Sequence, residues 1–479
     1  MTATTPHPVA PTVLSTRTGK LLLALLCAVA FLDFVDVTIV NVALPSIRDD
    51  LGFSVQELQW VPSGYLLTYG GFMLLGGRAA DLFGRRRVLL VGIMVFGIAS
   101  MVGGFAEGSG VLIAARLVQG LGAAMTLPAA LSILTTSFAE GPDRQGALGV
   151  WGGVGGLASA IGVLAGGALT EGPGWRWVMF INPVVVVLLV PAVLRLVPDD
   201  ATRAARGTLD VLGSLLGTAG LLALVYGLVE APDAGWGSAR TVLSLAAAAV
   251  LLVAFVAHER RAAQPLMPLS IFRVRGLAAA DLAQLLAFAG FLAMFFFVTL
   301  YMQNVLGYSP IRTGLAYLPV CVGAGLGAGL GSQLVARTGT RPLIIAGALV
   351  GAVGIALLSR IPVDGSYAAD LLPGLTIMSV GLGTVFVSVA SAANAGVPAE
   401  RAGLAAALLN TAQQLGGALG LAVLSAIATA RTDELLQAHA AVPEALTEGF
   451  GRGLLAGAVF LVAAAIIATR TSNTRELAA

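Results

Sequence analysis

Fourteen apolar runs follow one another along the chain, separated by short breaks rich in charge, proline or glycine. They cover approximately residues 21–46, 59–79, 88–106, 110–136, 146–169, 177–197, 208–229, 240–257, 276–301, 312–336, 342–359, 369–393, 402–429 and 452–470. A bilayer-spanning helix takes roughly 20 apolar residues. The pattern therefore predicts an all-α integral membrane protein with 14 transmembrane helices. The first run is too long for a signal-peptide core and continues without a cleavage site, so it is read as a helix. Residues 1–16, rich in Thr and Pro, are expected to form a disordered tail.

The basic residues test this division. With the N-terminus inside, 19 of the 27 fall in inner breaks, from Arg17 and Lys20 to Arg470 and Arg475. Seven fall outside (Arg48, Arg176, Arg240, Arg312, Arg360, Arg431 and Arg452), and Arg116 alone lies inside a span. That bias matches the positive-inside rule, and a missed helix would have scrambled it downstream. Both termini are expected in the cytoplasm of a bacterial cell, with the chain in the inner (cell) membrane.

Composition narrows the chemistry. Charged residues make up 11% of the chain, against roughly 25% in soluble domains. Lys20 is the only lysine and is followed by Leu21, so no phosphate-binding P-loop is possible. His7, His258 and His439 lie far apart in polar stretches without metal-site spacing. No metal and no cofactor are expected, and a net charge of +2 gives no reason to expect a nucleic-acid partner. Cys27 and Cys321 fall in apolar runs, which argues against a disulfide.

A weak repeat orders the helices. Gly84-Arg85-Arg86 after the second run is echoed by Gly339-Thr340-Arg341 after the tenth, and Asp143-Arg144-Gln145-Gly146 by Glu400-Arg401-Ala402-Gly403. Both echoes are eight helices apart, an even number, so the halves share one orientation. The expected plan is six plus two plus six: residues 17–200, two inserted helices with their linker in 201–262, and residues 263–479. Parallel halves about an axis along the membrane normal are a transporter arrangement, with the substrate path between them.

The motifs fit this plan. Segment 1 ends Asp36-Val37-Thr38-Ile39-Val40-Asn41-Val42-Ala43-Leu44-Pro45, and segment 2 is followed by Gly77-Arg78-Ala79-Ala80-Asp81-Leu82-Phe83-Gly84-Arg85-Arg86-Arg87. Segment 4 carries Arg116, Gln119, Gly120 and Gly122. Trp175-Arg176-Trp177 with Ile181-Asn182, and Gln303 before Leu306-Gly307-Tyr308-Ser309-Pro310, complete the set. In these features the chain resembles the major facilitator superfamily, specifically its fourteen-helix drug:proton antiporter branch. The antiporter signature of segment 5 is met at Gly149, Gly162, Gly166 and Gly167, but Ala158 replaces a glycine and Val163 stands where proline is expected. Small residues there permit close helix packing.

A charge at the bilayer centre costs at least roughly 2.5–3.5 kcal/mol, so it needs a partner or a purpose. Asp33 and Asp36 lie three apart on one face of segment 1. At 1.5 Å per residue, Asp36 is roughly 13 Å from Pro45, and Arg116 is roughly 10 Å below Ser109. Their depths match, so an Asp36–Arg116 pair is expected, with Asp33 as a further proton-coupling candidate; a static ion pair joining the two helices is the competing reading. Tyr65 and Tyr69, four apart on one face, are substrate-cavity candidates, as are Asn41 and Gln303. The resemblance implies that Gly77, Asp81, Gly84, Arg85 and Arg86 form a conformational-switch loop. Asp281 is read as a surface-proximal acid, Asp210 as a helix N-terminal charge, and most of Phe291, Phe295, Phe296, Phe297 and Tyr301 as lipid-facing.

These readings favour a secondary transporter that exports small amphipathic drugs or antibiotics in exchange for protons, driven by the proton motive force and acting as a monomer in the lipid bilayer. A same-fold carrier for a metabolite or nutrient, with another coupling direction, remains the alternative. An intramembrane hydrolase would need a paired nucleophile and base, and a receptor a soluble signalling segment; the sequence offers neither.

Overall fold

A computed structural model describes residues 14, 16–138, 142–198, 209–263, 265–395, 397 and 402–475. The tail expected over 1–16 lies almost wholly outside these residues, as do Arg203, Arg206 and Arg401 of the charge map. No strand occurs among the described residues. Fourteen long helices match the fourteen apolar runs: α1 (Arg17–Leu51), α2 (Trp60–Phe83), α3 (Arg85–Gly104), α4 (Ser109–Ser137), α5 (Pro142–Glu171), α6 (Arg176–Leu196), α7 (Val211–Ala234), α8 (Ala239–Glu259), α9 (Leu277–Leu300), α10 (Leu318–Thr338), α11 (Thr340–Leu358), α12 (Leu372–Asn394), α13 (Ala402–Gln437) and α14 (Val442–Ala468). Among the described residues, thirteen helical segments are long and apolar enough to cross a membrane. The exception is α2, whose five glycines, Ser63, Tyr65, Thr68 and Tyr69 dilute its apolar character.

The halves repeat one packing scheme. In the first, α4 packs on α2 and α3, α1 on α5, and α6 on α3 and α1. In the second, α12 packs on α10 and α11, α13 on α9, and α14 on α11 and α9. Each partnership recurs eight helices later. The turns repeat as well: Gly84 between α2 and α3 has φ 95°, and Gly339 between α10 and α11 has φ 82°. Backbone in that region suits a residue without Cβ, which gives the sequence echo at these positions its physical cause.

The inserted helices α7 and α8 pair with each other, and α7 leans on α2 and α13. Gln56 Nε2, in the turn before α2, donates to the Val229 carbonyl at 2.7 Å. Asp210 caps α7 by accepting from the Gly213 N–H at 2.8 Å, as a helix N-terminal acid should. It also meets Nε2 of His258, in the last turn of α8, at 2.7 Å.

One expectation is overturned on α9. Phe295, Phe296, Phe297 and Tyr301 are all buried, not lipid-facing. The reason is position: α9 is enclosed by α12, α13 and α14, and it is the most buried of the candidate spans. A helix apolar all round is equally suited to lipid or to the centre of a bundle, and here it takes the centre.

The halves touch mainly at one end. There Gln303 Nε2 donates to the Val42 carbonyl at 2.9 Å, and Arg48 Nη2 to Oδ1 of Asn304 at 3.3 Å. Glu171 accepts from the Ile311 N–H at 3.1 Å. Midway along, α2 meets α13, where Gly70 faces Gln414 and Leu415. Toward the Gly84 end, one face of α5 stands free: a Cβ added at Gly149, Gly152, Gly153, Gly155 or Gly156 would meet nothing within 4 Å. These five positions lie on one side of the helix, whose other side is buried through Ala147, Val154 and Ala158. The molecule is therefore closed at the Gln303 end and parted along α5 toward the Gly84 end.

Candidate functional site

The first half holds a buried charged cluster at mid-depth. Close packing by α4 puts its arginine there. A Cβ at Gly120 would collide with the Tyr65 carbonyl oxygen and Thr68 Oγ1, and one at Gly122 would lie 2.6 Å from the Phe96 nitrogen. Only glycine lets α4 approach α2 and α3 so closely, and that approach carries Arg116 against α1.

Arg116 is fully buried and all its described contacts are specific. Its Nη1 meets Oδ2 of Asp36 at 2.5 Å and Oε1 of Gln119 at 2.7 Å. Its Nε donates to the Val61 carbonyl at 2.9 Å, and the guanidinium lies 4.3 Å from the centre of the Tyr65 ring. Asp36 is fully buried too, and its second oxygen accepts from Nε2 of Gln119 at 2.8 Å and Nδ2 of Asn182 at 2.7 Å. Asn182 also donates to Ser100 Oγ at 3.0 Å, so four helices, α1, α3, α4 and α6, converge on one carboxylate.

Asp33, one turn along α1, is equally buried but far less supported. Thr126 Oγ1 donates to its Oδ2 at 2.7 Å. Tyr65 and Tyr69 complete the wall, with rings 5.5 Å apart and the Tyr65 hydroxyl without a hydrogen-bond partner. The formal charges are two negative and one positive. The cluster is thus one positive charge short of neutrality in a low-dielectric setting, where an uncompensated charge is costly.

The remaining candidates are dispersed. Asn41 bonds its own helix, Nδ2 to the Val37 carbonyl at 2.6 Å, and leaves Oδ1 buried without a partner. Gln303 closes the far end of α9 against α1 instead of lining a cavity with the tyrosines. On α5 the glycines divide. Gly162 packs on Thr38, Gly166 on the Ile39 carbonyl, which a Cβ added there would meet at 2.7 Å, and Gly167 against Ile311 of the other half, whereas Gly149 packs on nothing. The helix runs 30 residues with no proline after Pro142, and the Val163 carbonyl lies directly against Gly314.

Asp81 is exposed in a cleft of about 470 Å³ at the Gly84 end, with Thr16, Gly19, Arg85 and Thr136 among its lining. Arg85 Nη1 donates to Thr136 Oγ1 at 2.9 Å, and Arg86 Nη2 to the Leu194 carbonyl at 2.8 Å. Gly77 faces Pro128. The loop is thereby tied to α4 and α6 of its own half. Asp281 requires a correction: it is buried, 8% exposed, and neither carboxylate oxygen has a partner. It lies one turn from the start of α9, at the expected depth, but the central position of α9 buries it among other helices.

Sequence reasoning gave no role to Asn182, Gln119, Thr126 or Ser100. Gln119 and Asn182 each stand as a polar residue in an apolar run at the depth of Asp36, which was the available signal. Ser and Thr in membrane helices bond their own backbone so often that Thr126 and Ser100 carried none.

The same arrangement of helices and motifs is matched by a family model, described as Major Facilitator Superfamily, over residues 26–421. The chain belongs to the Major Facilitator Superfamily. Within it, the chain is 41% identical to the puromycin resistance protein of Streptomyces alboniger, over 92% of this chain and 88% of that protein. It is 40% identical to the cephamycin export protein of Amycolatopsis lactamdurans, over 94% and 92% of the two chains. It is 38% identical to the lincomycin resistance protein of Streptomyces lincolnensis, over 86% and 85%. Among solved structures, a bacterial homologue of the lysosomal transporter Spinster, inward-facing and occupied, aligns with a TM-score of 0.67 at 17% identity, covering 96% of this chain and 98% of its own. That likeness concerns the superfamily fold. The chain is accordingly a multi-pass membrane transporter.

Proposed function

We propose that this protein exports small amphipathic antibiotics or related drugs from a bacterial cell in exchange for protons, by alternating access between its two six-helix halves. The observation that carries the proton coupling is the buried cluster of Asp33, Asp36 and Arg116, one positive charge short of neutral. A proton supplies the missing charge. When the site faces the outside it takes up a proton and lets cargo go; when it faces the cytoplasm it releases the proton and the next cargo enters. Asp36, held by Arg116, Gln119 and Asn182, is the anchor of the cluster, and its pairing with Arg116 changes with the proton load. The names of the relatives, which are resistance and export proteins, support the direction and the cargo class.

With both termini in the cytoplasm of the inner membrane, the Gly84 end is cytoplasmic and the conformation described here is inward-facing. On this reading the Asp81 loop is a latch that closes between the halves only in the outward-facing state. The protein works as a monomer on the proton motive force, without a cofactor. One feature speaks for a metabolite carrier of the same fold instead, namely the unbroken α5.

The deciding experiment uses inverted membrane vesicles with an imposed pH gradient, puromycin as probe, and wild type against Asp36→Asn. Wild type should accumulate puromycin only when the lumen is acid, and Asp36→Asn should lose that gradient dependence. Gradient-dependent uptake at the wild-type rate in Asp36→Asn removes Asp36 from the coupling. Uptake by wild type in the opposite gradient selects the other coupling direction.

A further inference from the structure

Among the described residues outside the first-half cluster, one buried acid lacks any compensation. Asp281 on α9 has neither a cation nor a hydrogen-bond donor on either oxygen. Its neighbours place it in the second half, in the seam between α9 and α13. Gly416 packs on the Leu285 carbonyl and Gly420 on Ala289, so the helices run in step, and Gln284 Nε2 donates to Gln413 Oε1 at 2.9 Å. Asp281 lies on the same stripe of α9 as Gln284, Leu285 and Phe288, one turn nearer the parted end. It is about 6 Å from the start of α9. Gln284 Oε1, beside it, is a second buried acceptor without a partner, and Gln413 opposite is half-buried.

Above the acid stands an aromatic wall. Phe288 and Phe291 from α9 both contact Phe386 of α12, with ring centroids 6.1 and 5.9 Å apart, and Phe291 continues to Phe295 at 5.0 Å. Phe291 and Phe386 are half-buried, leaving part of their surface unpacked. Phe288 is seven residues beyond Asp281, two helical turns or about 10 Å. A carboxylate and an adjoining acceptor at one end, with flat apolar surface a molecular length away, are complementary to a cation carried on an aromatic body.

We propose that Asp281 and Gln284 form the recognition site for the cationic centre of an aromatic cargo, whose ring system extends over Phe288, Phe291 and Phe386. The site belongs to the second half and is separate from the Asp36–Arg116 pair. It rests on the exporter reading only for the transport arm of its test, because binding can be measured without transport.

Ethidium serves as the permanently cationic probe and Nile red as a neutral aromatic one, each titrated by fluorescence anisotropy into the purified full-length protein. Asp281→Asn is expected to weaken ethidium binding by about tenfold or more, the usual consequence of deleting one member of a buried charge pair, and to leave Nile red unchanged. Asp281→Glu should keep ethidium close to wild type. In wild-type protein, ethidium should also shield Asp281 from modification by dicyclohexylcarbodiimide, read by mass spectrometry, and Nile red should not; this arm does not depend on any variant folding. Unchanged ethidium binding in Asp281→Asn overturns the proposal, as does equal loss of both probes or a lack of shielding. Loss of proton-driven Nile red uptake in Asp281→Asn vesicles also overturns it, because the residue would then carry the coupling proton. If binding and shielding behave as expected but no gradient drives ethidium in wild-type vesicles, the site stands and the exporter reading falls.

Discussion

Asp36 accepts hydrogen bonds from three side chains on two other helices, and Arg116 is inseparable from it. Arg116→Ala strands two buried carboxylates. Breaking a buried pair from one side costs about 3–5 kcal/mol, so this variant should show a large drop in Tm in detergent. Arg116→Gln combined with Asp36→Asn, which removes both charges, should recover much of that loss. A double variant no more stable than Arg116→Ala contradicts the charge argument. Tyr65 offers a finer test at the same place. Its ring lies on the guanidinium while its hydroxyl is unpartnered. Tyr65→Phe should keep stability within about 0.5 kcal/mol, whereas Tyr65→Leu should lose about 1–2 kcal/mol with the cation–π contact. Thermal unfolding of the three proteins side by side decides it. Asp36 with Arg116 was legible in the sequence because depth along a helix is simple arithmetic. Asp281 was not: which helix occupies the centre of a bundle is settled by packing among all of them, and hydropathy reads lipid and protein interior alike.

On α5 the difference between glycines is one of helix contact. A Cβ added at Gly166 would lie 2.7 Å from the Ile39 carbonyl oxygen, whereas Gly149 faces open space. Gly149→Ala should be neutral or slightly stabilising, since alanine is the better helix former by about 1 kcal/mol. Gly166→Val should push α5 off α1 and cost about 1–3 kcal/mol by overpacking. Equal effects in an unfolding assay would contradict this division of α5. The four glycines look alike in the sequence because the motif records small size, not contact. The turn glycines were more transparent. Gly84 and Gly339 share a positive φ, so the echo between the halves was already a statement about backbone shape.

At the scale of the whole molecule, the halves meet at one end through Gln303 and Val42 and through Gly167 and Ile311, and midway along through α2 and α13. A cysteine pair at Val42 and Gln303, in a Cys27→Ser/Cys321→Ser background, should cross-link in this conformation. Oxidation should then abolish puromycin uptake in the inverted vesicles, and reduction restore it. Transport that survives complete cross-linking would mean that this end need not open. The cluster of two acids and one arginine has an electrical consequence. A cycle that carries one proton inward and one neutral molecule outward moves a net charge across the membrane, so voltage drives it along with the pH difference. At 100 mV that is about 2.3 kcal/mol per charge, equivalent to roughly a fiftyfold concentration ratio. Exchange of one proton for one monovalent cation moves no net charge and feels only the pH difference. Collapsing the potential with valinomycin and potassium should therefore slow the export of neutral cargo and leave the export of singly charged cargo unaffected.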